Sequence, residues 1–539
     1  KRFAQTGDAT DLDRAVELYR EALDLRPLPH PDRSTQLANL AIALHARYTH
    51  CGDAMDLESA ISLQHEALFL RPAPRMGRGS LLSNLGSFLH ARFAQRGETA
   101  DLDAAIELHR EALSLEPPMK PGRADSLNNL AIALYSRFQN TGDPMALASA
   151  IELHREALSL RPVPHPDRSS SLGNLGVMLH TRFTQRGDPA DLDSAVELHR
   201  EALDLEPAPR PDRSMCLDNL ANDLHVRFSD RGDLADLDTA IELRYEALAL
   251  RPAGHPDGSG SLNNIATGLY MRFTQRGDPN DLDRSIELHH QVLALRPDPH
   301  KERNESLNNL SGTLFARFTQ RGDPADLDRS IELSREILAM RPGLHPGRGD
   351  SLHQLASGLY ERFMQRGDVN DLDSSIELHR ELLALRPAPH RDRGVSLGDL
   401  GGMLHARFTK RGDTMDLDSA IELYRETLSL EPAPHPGRHV SLNNLAIGLY
   451  EQFRQTGNQE SLDRCIELHR EALALRPVPH PQRSSSLGNL GAALYSRFTQ
   501  TGDVRDVDGA IELHREALAL RPHPHPDRSA SLFTLAACL

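Results

Sequence analysis

The sequence predicts an all-α solenoid of about twelve helix-turn-helix modules, and three observations predict it. Glycine recurs at Gly7, Gly52, Gly97, Gly142, Gly187, Gly232, Gly277, Gly322, Gly367, Gly412, Gly457 and Gly502, twelve positions 45 residues apart with no insertion or deletion between them. An apolar stripe at helical spacing precedes each glycine and a second one follows it. A proline column from Pro27 to Pro522 closes every second stripe. A fixed period of this length marks a stack of like modules, and two stripes per period make each module a helix pair.

The chain opens with Lys1 to Gly7 finishing a helix A, and Asp11 to Arg26 reads as the first helix B. The module from Asp125 to Pro162 shows the pattern most clearly. Leu127, Leu130, Ala131, Leu134 and Phe138 fall at i, i+3, i+4, i+7 and i+11, one stripe along helix A. Leu147, Ala150, Ile151, His154, Ala157 and Leu158 repeat that spacing along helix B, which Pro162 ends because proline cannot continue a helix. Helices A are expected to start near residues 31, 76 and 121 and to run about 18 residues, and helices B near 11, 56 and 101 and to run about 15. The bridge Pro-x-Pro-His-Pro-Asp-Arg, as at Pro27 to Arg33, is stiffened by its prolines, and Pro31 suits the first turn of the next helix A. In the turn from Arg186 to Asp193, glycine stops helix A, Asp191 is expected to cap helix B and Asp193 to sit in its positive first turn. The fourth module has Ala146 and Ala148 in place of those aspartates, so its helix B is expected to begin more loosely. The chain reads as a single array over residues 1–539, cut within a module at both ends.

These residues resemble the tetratricopeptide repeat (TPR). Leu127, Leu130-Ala131 and Leu134 match the family's helix A positions, and Ala150, Ala157 and Pro162 match its helix B alanines and closing proline. The departure is length, 45 residues rather than 34. The Leu-Asn-Asn-Leu-Ala string and the His-Pro-Asp bridge look like the long repeats of kinesin light chains. The array is also similar to those of large fungal proteins that carry a caspase-like CHAT domain beyond it. The resemblance implies a right-handed superhelix whose helices A line a concave groove for peptides. The alternative is the regulatory repeat region of a CHAT-type cysteine protease whose catalytic domain is not in this chain.

Composition excludes several classes. With 61 Lys and Arg against 77 Asp and Glu, the formal charge is −16, which argues against nucleic acid as a partner, because phosphate binding needs a concentrated positive surface. Cys51, Cys216, Cys465 and Cys538 sit at four different places in the module, so neither a disulfide frame nor a CxxC metal site follows. A reduced, cytoplasmic protein is the expectation. No apolar run approaches the roughly 20 residues of a membrane span.

Three carboxylates within six residues invite a calcium loop, but the carbonyl ligands, internal glycine turn and distal Glu of such loops are missing. The Arg-Gly-Asp strings beginning at Arg186, Arg231, Arg276, Arg321, Arg366 and Arg411 lie in a structural turn rather than on an integrin-recognition loop. Histidine fills two columns, one in the bridge (His165, His255, His300) and one in helix B (His109, His154, His199); capping or packing is expected, because Arg75, Lys120 and Arg210 replace bridge copies. Every catalytic candidate is a repeat copy, so the sequence carries no enzyme signature, and no cofactor, metal or small-molecule substrate is expected.

A protein-interaction scaffold for extended or helical segments is the reading that remains. On helix A the groove positions are those of Asn128, Ile132, Tyr135 and Ser136. The Asn128 column varies, from Ala38 through Asn263 and His353 to Gly488, as does the column of Ile42, Ser87, Asn222 and Thr267. The neighbouring column is nearly constant: Asn129, Asn174, Asn219, Asn264, Asn309, Asn444 and Asn489, with Asn39 and Asn84, fill nine of twelve modules, and Gln354 and Asp399 are exceptions. Asparagine costs roughly 0.5 kcal/mol against alanine inside a helix. Its recurrence implies a compensating hydrogen bond, either to a neighbouring helix or to the backbone of a bound peptide. Tyr135, Tyr270, Phe315 and Tyr360, alternating with His180, His225 and His405, would add flat apolar area.

Overall fold

The computed structural model describes residues 9–72, 77–117, 122–206, 213–251, 255, 257–343, 345–390, 392–523, 525 and 527–539. These residues hold 24 α-helices and no strand. Contacts divide the chain into two bodies, Lys1–Gly277 and Asp278–Leu539. Each is built as the α-solenoid expected from the sequence. A helix A packs along the helix B that follows it, that helix B packs on the next helix A, and successive helices A also touch, as Arg78–Arg96 does Arg123–Thr141.

The helix boundaries differ from the expected ones by two residues at each start, for two local reasons. Helix A runs 19 residues from the bridge arginine, as in Arg33–Cys51 and Arg168–Arg186. Pro31 and Pro166 therefore stand ahead of the helix rather than in its first turn. The bridge makes its own turn first: the Asp167 N–H donates to His165 Nδ1 at 3.2 Å, and the Arg168 N–H donates to the His165 carbonyl at 3.2 Å. Helix B starts directly after the Gly-Asp pair, as in Pro189–Asp204. Asp188, not Asp191, is the cap, its carboxylate accepting the Ala190 N–H at 3.1 Å. The fourth helix B, Pro144–Ser159, begins no more loosely than the others, because Asp143 accepts the Met145 N–H at 2.9 Å and Ala146 has no capping role.

The described members of the glycine column, Gly52 to Gly502, end helix A in the left-handed conformation with φ between 68° and 75°. At Gly142 the N–H donates to the Phe138 carbonyl at 2.7 Å, and a Cβ there would meet nothing within 4 Å. The residue is glycine because of its backbone angle, not because space is short.

The two helices of a module close over small residues. Gly86, Gly176 and Gly491 face His109, His199 and His514, and a Cβ at any of them would fall 2.5–2.8 Å from the imidazole ring. Leu127, Leu130, Ala131, Leu147, Ala150 and Ile151 form the buried seam of their module, and like residues continue it along each body.

Candidate functional site

Helix A is wedged between neighbours on most sides, which leaves a narrow partly open strip. In the helix Arg123–Thr141 that strip is Asp125, Asn128, Asn129, Ile132, Tyr135 and Ser136, with Leu127, Leu130, Ala131 and Leu134 buried behind it. Asn174, Asn219, Asn309, Asn444, Asn489, Tyr270, Phe315 and Tyr360 are likewise half-buried, and Asn264 is exposed. Asn263 departs from the expectation for a variable groove position, because it is only 6 % exposed. In the helix Gly258–Arg276 Asn263 is buried and Asn264 exposed.

The strip is laced from module to module. Asn129 Nδ2 donates to Ser83 Oγ at 3.4 Å and Asn489 Nδ2 to Asn443 Oδ1 at 3.4 Å, each on the preceding helix A. Gln354 replaces the asparagine and reaches Ser311 Oγ at 3.3 Å. The aromatic column spans the same gap in the other direction: Tyr135 Oη lies 2.9 Å from Thr181 Oγ1, Tyr450 Oη 2.8 Å from Ser496 Oγ, and His90 Nε2 2.8 Å from Ser136 Oγ. These side chains fix the spacing of neighbouring helices A while keeping one edge at the surface.

An arginine column on helix A organises the turn, and the sequence reading missed it. Arg227 clasps Asp236 of its own helix B through Nε and Nη2 at 2.7 Å each, and its Nη1 lies 3.5 Å from Asp193 on the preceding helix B. Arg317 does the same with Asp326 and Asp283. The arginine of the Arg-Gly-Asp string completes the clip, with Arg231 Nη2 2.9 Å from Asp193 and Arg321 Nη2 2.8 Å from Asp283. The tripeptide thus belongs to an ion-pair network. The Arg231 guanidinium, with Arg227 beside it, holds Asp193 below the usual carboxylate range. Asp191, clasped by Arg182, and Asp193, held by Arg231, are therefore ion-pair partners, and neither caps the helix. The signal was present in the sequence: where Gln452 replaces the arginine, Ser461 replaces its aspartate nine residues on, and the two hydrogen-bond at 2.9 Å.

Histidines also divide by environment. In the bridge, Nδ1 of His30, His255, His300, His390 and His480 each accepts the N–H two residues on, which is the capping role expected. The bridge replacements Arg75, Lys120 and Arg210 lie outside the described residues. In helix B, burial pushes His109, His154, His289 and His469 down to about 4, so they are neutral packing groups at neutral pH.

Two places break the repeat, and the sequence reading found neither. Asp223, 1 % exposed, lies with its carboxylate oxygens 2.7 Å from His180 Nδ1 and 2.6 Å from His199 Nδ1. In the C-terminal body, His353, His379 and Asp399 bring one ring nitrogen each and a carboxylate oxygen within 4.8 Å of one another. His353 occurs once in its column and Asp399 once in the asparagine column, so both sets are singular.

A tetratricopeptide-repeat family model matches residues 123–167, 440–482 and 483–527. No curated protein matches the sequence. Among solved structures, a human IFIT1 dimer with PPP-AAAA aligns over 94 % of this chain and 94 % of that one at 16 % identity and TM-score 0.38. A Podosopora anserina putative kinesin light chain with nearly identical TPR-like repeats aligns over 42 % of this chain and 97 % of its own at 22 % identity and TM-score 0.32. BtubC (BKLC) from P. vanneervenii aligns over 46 % and 93 % at 21 % identity and TM-score 0.33. At such scores the likenesses carry no argument about function. The family matches cover repeat modules and leave the CHAT resemblance an expectation from sequence. Three segments match the tetratricopeptide-repeat family model, and the other described modules repeat their 45-residue period and paired helices.

Proposed function

We propose that the protein is a non-catalytic interaction scaffold that holds an extended or helical protein segment along the helix A strip of several modules. One observation carries this reading: the positions that vary between modules, those of Asn128 and Ile132, share the partly open strip, beside the near-constant asparagines and aromatics. Variation along an accessible strip is what a surface needs to read different side chains along a partner. The half-buried Asn129 and Asn489, bonded to their neighbours at 3.4 Å, can exchange those bonds for a peptide backbone, and the aromatic edges supply apolar contact area. Affinity would accumulate from many weak contacts over consecutive modules. With a formal charge of −16, a basic segment meets the chain faster than an acidic one.

The test uses the full chain and a displayed library of random peptides. Selected peptides are measured by fluorescence polarisation against the protein and against a variant with Asn129, Asn174 and Asn219 changed together to Ala, with melting followed in parallel. Retained folding with affinity lost by tenfold or more supports the strip. Unchanged binding moves the surface elsewhere, and collapse of folding makes the asparagine ladder structural. Binding of a single-stranded oligonucleotide in preference to any peptide would overturn the reading.

A further inference from the structure

We propose that His353, His379 and Asp399 form a binding site for one first-row transition-metal ion, of which zinc is the probe. The three residues come from three consecutive helices, Arg348–Arg366, Val369–Leu385 and Arg393–Arg411, so the site straddles two modules of the C-terminal body. His379 is fully buried, and its Nδ1 lies 3.3 Å from the Ser375 carbonyl. A carbonyl only accepts, so Nδ1 carries the hydrogen, and in that tautomer Nε2 presents its lone pair. That Nε2 is buried with no hydrogen-bond partner, and Nδ1 of His353 is also buried without one. Asp399 Oδ2 lies 3.9 Å from His379 Nε2, too far for a hydrogen bond. A buried, unpaired nitrogen facing a carboxylate is an unfavourable arrangement unless something electropositive lies between them.

A divalent metal satisfies all three at once. Imidazole nitrogen and carboxylate oxygen bind zinc at roughly 2.0–2.2 Å, which puts donor atoms about 3–3.5 Å apart. The observed spread, within 4.8 Å, closes by a rotation of Asp399, whose side chain is 40 % exposed. The two rings stand edge to face at 71° with centroids 5.8 Å apart, so they approach the common point from different directions. The carbonyl bond behind His379 is the orienting contact that metal-bound histidines use. Two imidazoles and one carboxylate leave a coordination position open for water or for a donor from a partner on the strip.

The array supplies its own control residues, because Asn stands at the His353 column in Asn128 and at the Asp399 column in Asn444. Full-length protein is stripped with chelator and titrated with Zn2+ by calorimetry, with Co2+ absorption as a second readout. The expected result is one ion per chain, with affinity falling at least tenfold in both His353→Asn and Asp399→Asn while the helical circular dichroism of the metal-free variants is unchanged. Absence of stoichiometric binding, or equal binding by both variants, overturns the proposal; the latter assigns the metal to exposed bridge histidines or Cys51. A variant that fails to fold is replaced by His379→Gln, which keeps a polar side chain in the pocket and is read by the same cobalt spectrum.

Discussion

In the N-terminal body Asp223 joins His180 and His199, and in the C-terminal body Asp399 lies beside His353 and His379. The residue types are the same and the outcomes differ. The first set is closed: both imidazole–carboxylate distances are 2.6–2.7 Å, and His199 Nε2 donates to the Gly173 carbonyl at 3.2 Å, so each ring nitrogen of His199 has a partner. The second is open, with bare nitrogens and its carboxylate at 3.9 Å. Two placements account for this. Asp223 sits on the buried side of its helix A, whereas Asp399 sits on the partly open strip. The residue facing the helix B histidine is Gly176 in the first set and Ala356 in the second. A Cβ at Gly176 would lie 2.5 Å from His199 Nε2, so only glycine lets the ring lie against helix A and reach the Gly173 carbonyl. Where Ala356 supplies that methyl group, His379 instead bonds the Ser375 carbonyl of its own helix. The methyl group of Ala356, with Asp399 standing four residues and His353 seven residues earlier on their helices than Asp223 and His180 do on theirs, separates an open set from a sealed one.

The largest effect on this contrast is expected from pH. His109, His154, His289 and His469 have folded-state pKa values lowered by burial to about 4 and lack a carboxylate partner of the kind His199 has. As pH falls from about 6.5 towards 4, the unfolded chain takes up protons that these imidazoles refuse in the fold. Stability is then lost, by on the order of 1–2 kcal/mol for each at pH 5. Hydrogen exchange at pH 7.5 and pH 5 should show the helices carrying these four residues opening; equal protection at both values would mean that the rings are not neutral packing groups.

Next in size is the loss of Asp223. Asp223→Ala leaves the buried His199 and the half-buried His180 without their acceptor and should cost about 2–3 kcal/mol in the modules around it. Asp399→Asn in metal-free protein should stay within about 0.5 kcal/mol. Comparable losses at the two sites, measured by local exchange protection, would erase the distinction between closed and open. Because modules contact chiefly their neighbours, protection must be read locally rather than from a single melting curve.

Smaller again is Gly176→Ala. The added methyl displaces His199 from the Gly173 carbonyl, with an expected cost of about 1–2 kcal/mol. Its mirror, Ala356→Gly, should cost only the roughly 1 kcal/mol of helix propensity. A neutral Gly176→Ala would show that the ring has another resting place.

The smallest effect concerns the fourth module. Arg137 lacks an aspartate at position 146 and reaches only Asp103 at 3.6 Å, and position 148 offers Arg182 no second carboxylate. Ala146→Asp should restore the clasp seen at Arg227 and add at most about 1 kcal/mol, visible as slower exchange at the start of Pro144–Ser159. Destabilisation would mean that burying the carboxylate outweighs its pairing.

The period, the helix pair, the left-handed glycine and the closing proline were all legible from the sequence, because each follows from local rules repeated twelve times. Helix B starts were misplaced by two residues because two aspartates lie near each turn and only coordinates show which carboxylate meets an N–H, and helix A starts because the bridge makes its own turn before the arginine. The strip positions of Asn128, Asn129, Ile132 and Tyr135 followed from helical phase; the burial of Asn263 did not, since it depends on how that stretch of helix packs against its neighbours. Tertiary structure alone decided the arginine clips, the sealing of Asp223 and the meeting of His353, His379 and Asp399. Those contacts join residues 9 to 46 positions apart across two or three helices. Sequence periodicity states which side of a helix a residue takes, while the distance between side chains on different helices is set by how the helices pack.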